Sequence, residues 1–149
     1  RLVVTGRTKH FISAFGEHVI GEEVEACMLK AAKEENVYVT EFTVAPFVSS
    51  DQGKSYHEWY VEFEEKPDDI QRFASRLDQH LRENNVYYDD LIGGNILSPL
   101  KINTVRKNGF IDYMKSIGKL GGQNKVPRLS NDRKIADELI KWTENLQEA

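Results

Sequence analysis

VYVTEFTVAPFVSSDQGKSYHEWYVEFEE, residues 37–65, is the stretch whose reading decides the fold. Two runs rich in Val, Phe, Tyr and Thr, all strand formers, flank the polar, glycine-containing SDQGKS, and that arrangement predicts an antiparallel hairpin. Side chains alternate across a strand, so His57, Trp59, Val61 and Phe63 share one face, while Glu58, Glu62 and Glu64 share the other. The pattern predicts one buried face and one solvated face. Tyr56 and Tyr60, on the acidic face, are the residue type that stacks on RNA bases, but the neighbouring glutamates repel a phosphate backbone.

Outward from the hairpin, helices flank it on both sides. In GEEVEACMLKAAKEEN (21–36), Val24, Cys27, Met28 and Ala31 recur at helical spacing, and Glu22 and Glu23 fall in the first turn, where the helix dipole favours acids. In DDIQRFASRLDQHLREN (68–84), Ile70, Phe73, Ala74, Leu77 and Leu81 form one stripe, with Asp68 as the expected cap. VYYDDLIGGNIL (86–97) reads as a short helix or turn, SPLKINTVRKNG (98–109) as a strand ending at Gly109, and FIDYMKSIG (110–118) as a short helix. NDRKIADELIKWTENLQ (131–147) reads as a closing helix with Ile135, Leu139, Trp142 and Leu146 on one face and Asn131 or Ser130 as its cap. At the other end, RLVVTGRT (1–8) and HFISAFG (10–16) read as two strands of a hairpin or one bent strand, with Gly16 ending the second.

The resulting order, roughly ββαββαβαα, predicts an α+β fold: a mixed or antiparallel sheet of about four to five strands, a ferredoxin-like β-α-β-β-α-β core and C-terminal helices. The 149 residues suit a single domain, 1–149. The chain opens at Arg1 directly on an apparent strand, and the expectation is that it is part of a longer protein.

Composition narrows the function classes. Charged residues make up 30% and hydrophobic residues 40%, the balance of a folded domain in water. A net charge of −4 without a basic cluster argues against nucleic acid as a partner. There is no apolar run long enough to span a bilayer, and so no membrane partner is expected. Cys27 is the only cysteine, which rules out an internal disulfide and predicts a cytoplasmic protein.

Self-contained catalytic signatures are missing from the sequence. His10, His18, His57 and His80 lie on different elements without metal-ligand spacing, so no metal site is expected. Cys27 sits on an apolar stripe, where a cysteine behaves as a small hydrophobe. There is no G-x-S-x-G, Walker or G-x-G-x-x-G pattern. The acid pairs Glu22 with Glu23 and Asp89 with Asp90 read as a helix start and a solvated turn. What remains is GRTKHFISAFGEHVIGEEVE (6–25), with two bends leading into a helix, and GGQNKVPRLSNDR (121–133). In the latter, two glycines and Pro127 frame Lys125 on a short loop.

Together these two stretches resemble the C-terminal domain of acyl-adenylate-forming enzymes. The first is similar to the motif G-R-x-K-D-x-I-x-x-x-G-x-x-I-x-x-x-E-V-E, and NKVPR (124–128) to the lysine motif G-K-[IV]-x-R. His10 stands where many members carry aspartate, and Asn124 where they carry glycine. Within that superfamily the wording most resembles the auxin-responsive Gretchen Hagen family of acyl acid amido synthetases. The resemblance implies a mobile cap domain of a larger ligase, whose own N-terminal domain binds ATP with Mg and the acyl acid and amino acid substrates. It implies that Lys125 is catalytic in adenylation, with Arg128 supporting it, and that Arg7, Lys9, Gly16, Glu17 and His18 form the nucleotide or second-step loop. The competing expectation is a non-catalytic ferredoxin-like module that binds a small regulatory molecule.

Overall fold

In the computed structural model, the residues described are 11–12, 19–47, 55–118, 126, 128–130 and 133–143. The hairpin forms as expected: β3 (Tyr38–Phe47) pairs antiparallel with β4 (Tyr56–Glu65), Val44 opposite Trp59 and Phe42 opposite Val61. The chain then crosses one face through α2 (Ile70–Asn84) and α3 (Val86–Gly93). It returns as β5 (Lys101–Val105), parallel to β4, as a helical crossover requires. The sheet order is β3-β4-β5, which makes β4 the central strand.

Single bridges extend the sheet at both edges, Leu129 beside Val44 and Thr143 beside Val105. The α+β class and the mixed sheet are thus as expected, with three full strands and a bridged segment on each side. Before the hairpin, β1 (Phe11–Ile12) and β2 (Val19–Ile20) pair antiparallel with each other and lead into α1 (Gly21–Glu35). Phe11–Ile12 is the described part of the expected second strand, and its described partner is Val19–Ile20; the expected strand 1–8 lies outside the described residues.

Helices cover both faces of the sheet. On one face, Val24, Cys27, Met28 and Ala31 of α1 and Phe73, Leu77 and Leu81 of α2 pack on Phe42, Val44, Trp59, Val61 and Phe63. The Phe42 and Trp59 rings stack at 5.8 Å, and Phe63 meets Phe73 edge to face at 5.4 Å. α1 ends at Asn36, in the left-handed region at φ 61°, where its N–H returns to Lys33. Asp69, one residue after the expected Asp68, caps α2 by accepting from the N–H groups of Gln71 (3.0 Å) and Arg72 (3.1 Å). Both aspartates are cap-competent, and the helix takes the one whose carboxylate reaches its second and third N–H groups.

The second face corrects the expectation of a wet, acidic surface for Glu58 and Glu62, while Glu64 is exposed as expected. α4 (Gly109–Ser116) and α5 (Lys134–Leu139) cover it, burying Tyr60 with Ala45, Val105, Phe110, Tyr113, Met114, Ala136 and Leu139. Glu58 and Glu62 lie beneath them, only 8% and 4% exposed. Glu62 accepts from the N–H of Asn108 (2.9 Å) and of Phe110 (3.1 Å), so a sheet carboxylate caps the start of α4. Gly109 lies between them, where a Cβ would fall 2.3 Å from Val105 Cγ1 and 3.2 Å from the Trp142 carbonyl.

The closing helix is shorter than its periodicity predicts. α5 gives way to a 3₁₀ turn at Ile140–Trp142, and Thr143 turns extended to bridge Val105, while Arg106 N–H donates to the Trp142 carbonyl at 2.9 Å. Pairing with the open edge of β5 wins over another helical turn. Arg133 occupies the cap position of α5 without a side-chain cap bond, in place of the expected Ser130, and Asn131 lies outside the described residues.

Replacing Glu62 with Leu strands the N–H groups of Asn108 and Phe110 under α4, which costs roughly 3 kcal/mol of stability. Urea unfolding checks it, and a loss below about 0.5 kcal/mol, the level of an ordinary surface change, would contradict the capping role.

Candidate functional site

The described part of the site is a junction of three elements: the first turns of α1, the outer edge of β3, and the stretch 128–130. The third is held to the second by backbone. Val44 N–H donates to the Arg128 carbonyl and Ser130 N–H to the Val44 carbonyl, both at 2.9 Å. The side chains add weight, since Leu129 is fully buried in the core under α1 and Val126 lies in the core under α4 and α5. Val126 and Leu129 therefore send one apolar side chain into each core.

Arg128 ties the junction across elements. Its Nε donates to Glu25 of α1 at 3.0 Å, and a terminal nitrogen donates to the Glu41 carboxylate and, at 3.2 Å, to the Phe42 carbonyl. The guanidinium lies 4.6 Å over the Phe42 ring. Burial works against its charge, but the hydrogen bonds to Glu41 and Glu25 outweigh that and raise its pKa. A cavity of about 230 Å³ opens beside it, lined by Met28, Leu29, Val39, Thr40 and Phe42 together with the three charged groups. With two carboxylates on one guanidinium, this is not a free cationic site for phosphate.

A second polar cluster lies on the other side of β3 and β4. Glu58 accepts from Tyr60 Oη (2.9 Å), from Asn103 Nδ2 (2.6 Å) and from Arg133, whose terminal nitrogen is 2.9 Å away. Arg133 also reaches the Pro46 carbonyl (3.0 Å) and covers the Phe47 ring at 5.4 Å. Burial, then the Glu58 charge, push the Tyr60 phenol well above its ordinary 10.0. Arg128 and Arg133 thus pin the chain at two points five residues apart.

Of the residues expected to act, Arg128 is the one the structure describes. Lys125, Arg7, Lys9, Gly16, Glu17 and His18 lie outside the described residues. Other candidates read as structural. Cys27 is buried, accepts from Asn84 Nδ2 at 3.4 Å, and has its thiol pKa raised by desolvation. Glu23 accepts from Ile20 N–H (3.1 Å) and Asn85 Nδ2 (3.0 Å), joining the start of α1 to the junction of α2 and α3. Asp89 pairs with Arg82 at 2.6 Å. Among the described residues no group of three or more His, Cys, Asp or Glu could hold a metal ion, and no helix is long and apolar enough to cross a membrane.

Glu25 and Arg128 come from the two stretches that carried the resemblance, 103 residues apart in sequence and in contact here. A model of the GH3 family C-terminal domain matches residues 22–134, a span that contains both. The chain belongs to this family. Solved structures agree on the fold. The GH3.15 acyl acid amido synthetase superposes with a TM-score of 0.71 at 17% identity, over 91% of this chain and 25% of that one. AtGH3.15 acyl acid amido synthetase in complex with 2,4-DB gives 0.68 at 17%, over 91% and 26%. The chain thus spans about a quarter of these neighbours. No curated protein sequence matches it.

The GH3 C-terminal domain match begins at Glu22, after Arg7, Lys9 and Gly16 to His18, and includes Lys125. Periodicity missed Glu25, Glu41, Glu58 and Arg133 because their roles arise between elements. The available clue was on α4 and α5, whose apolar stripes needed a second sheet face to cover.

The raised pKa of Tyr60 sets an alkaline limit. The unfolded phenol ionises near pH 10 while the folded one stays protonated, so its stabilisation is intact below about pH 10 and is lost above it. Tyr60→Phe should cost about 1 kcal/mol at pH 8, and the gap to wild type should shrink by up to ~1.4 kcal/mol per unit beyond pH 10. Urea unfolding at pH 8, 10 and 11 measures it, and a gap that stays constant counts against a perturbed phenol.

Proposed function

We propose that this GH3 C-terminal domain is the mobile cap of an ATP-dependent acyl acid amido synthetase, cytoplasmic, in which residues 1–149 form one domain. Its N-terminal partner domain would bind ATP with Mg, the acyl acid and the amino acid. The reaction activates a small carboxylic acid as its acyl adenylate, releasing pyrophosphate, and the amine of an amino acid then displaces AMP to form the amide.

The observation that carries this reading is the contact of Glu25 with Arg128 inside the family span: the end of the first motif meets the chain that follows Lys125. The assignment of Lys125 rests on motif and chemistry. As the carboxylate attacks the α-phosphate, negative charge gathers on both groups, and an ammonium placed between them lowers the barrier. Rotation of the cap would then withdraw Lys125 and present Arg7, Lys9 and the Gly16–Glu17–His18 bend for amide formation. The family match over residues 22–134 favours this reading over the regulatory module.

In the full-length protein, Lys125→Ala should slow pyrophosphate exchange roughly a hundredfold or more, the scale of one transition-state charge contact, and should spare amide formation from preformed acyl adenylate. Gly16→Trp should do the reverse. If adenylation by Lys125→Ala stays within a few-fold of wild type, the lysine assignment is wrong.

A further inference from the structure

We propose that Arg128 is a positioning residue for the adenylation step, acting through Glu25 and Glu41 to hold the stretch 128–130 that follows Lys125 in the sequence. The inference rests on the assignment of Lys125 made above, and it concerns what makes that lysine effective. A transition-state charge contact is sensitive to placement, and an error of about 1 Å can cost two orders of magnitude in rate. Gly121 and Gly122 precede Lys125 in the sequence, and the stretch 128–130 that follows it is bonded to β3.

The geometry around Arg128 is over-determined. Two carboxylates from different elements, a backbone carbonyl of β3 and an aromatic face all engage one guanidinium. Phe42 beneath it stacks in turn on Trp59, which is fully buried, so the support continues into the core. The backbone of the same residue is bonded to Val44. A planar guanidinium can satisfy this set at once, whereas a lysine ammonium would keep the charge and lose the fork and the stacking.

The pairing with Glu25 adds little to folding. Side-chain exposures of 35% for Arg128 and 51% for Glu25 place that pair near solvent, where ion pairs stabilise weakly. Leu129 and Val126 already hold the segment by burial. What the arginine adds is direction, because apolar contacts tolerate sliding and a forked hydrogen bond does not.

The test uses the full-length protein with four variants: Lys125→Ala, Arg128→Gln, Arg128→Lys and the double variant Glu25→Gln with Glu41→Gln. Pyrophosphate exchange and amide formation from preformed acyl adenylate are measured separately, with hydrogen exchange at the amides of Val44 and Ser130 and a thermal melt. Arg128→Gln should lower the adenylation kcat about tenfold or more while the KM for ATP and the amide-forming step stay within about threefold, a placement effect smaller than loss of the lysine itself. Arg128→Lys should recover only part of the rate, the double variant should follow Arg128→Gln, and amide exchange at Ser130 should quicken without a matching fall in melting temperature.

Equal loss of both half-reactions together with a lowered melt would overturn the inference in favour of a merely structural arginine. Full rescue by Arg128→Lys would also overturn it, since charge alone would then suffice. If Lys125→Ala is slow but Arg128→Gln is normal, the positioning role falls and the lysine assignment stands. If Lys125→Ala is itself normal, both fall.

Discussion

Burial of β4 on both faces is the constraint on which the rest of the structure depends. A central strand covered twice has no wet side, yet this one carries Glu58 and Glu62 on the face under α4 and α5. A carboxylate taken out of water is costly unless donors replace the lost hydration. For Glu62 the donors are the first N–H groups of α4, which also need an acceptor because no earlier helical turn exists. For Glu58 they are Tyr60, Asn103 and Arg133. Two liabilities, a buried anion and an open helix start, cancel each other at one place.

The two faces therefore work differently. Beneath α1 and α2 the packing is apolar, and the aromatic contacts of Phe42 with Trp59 and Phe63 with Phe73 remove large areas from water. Beneath α4 and α5, carboxylate contacts fix which turn of each helix meets which residue of β4. An apolar surface permits a helix to shift along it, whereas a carboxylate that must meet two particular N–H groups does not. Residues 126 and 128–130 lie between these two helices in the sequence, and Leu129, Val126 and the backbone bonds to Val44 set where they meet β3.

The elements were legible in the sequence wherever the determining contacts are local in pattern. The stripe Val24, Cys27, Met28, Ala31 and the stripe Phe73, Leu77, Leu81 are buried as periodicity predicts, and the inward face of β4 is read from alternation alone. Alternation shows which residues share a face but not whether something covers it. That is why Glu58, Tyr60 and Glu62 read as solvated: their partners Asn103, Asn108, Phe110 and Arg133 lie 45 to 75 positions away in the numbering. The site is less legible still, since Arg128 meets Glu25 and Glu41 at separations of 103 and 87 residues. Arg128 was singled out because the second motif resembled a known family, and its contacts with Glu25 and Glu41 are visible only in the fold.

The contact between Glu25 and Arg128 has a consequence for how such a domain can serve two half-reactions. On the proposed reading a lysine leaves and a loop arrives, and two independently moving segments would each lose ordering entropy in each step. Here the helix that follows the first motif and the chain that follows the second are both fastened to β3, one through α1 packing and Arg128, the other through Val44. On the proposed reading, a single rotation of the domain then exchanges one motif for the other at the active site. On that reading the cost of switching falls on the connection with the partner domain, and the anchor within this domain is the sheet edge at Phe42 and Val44.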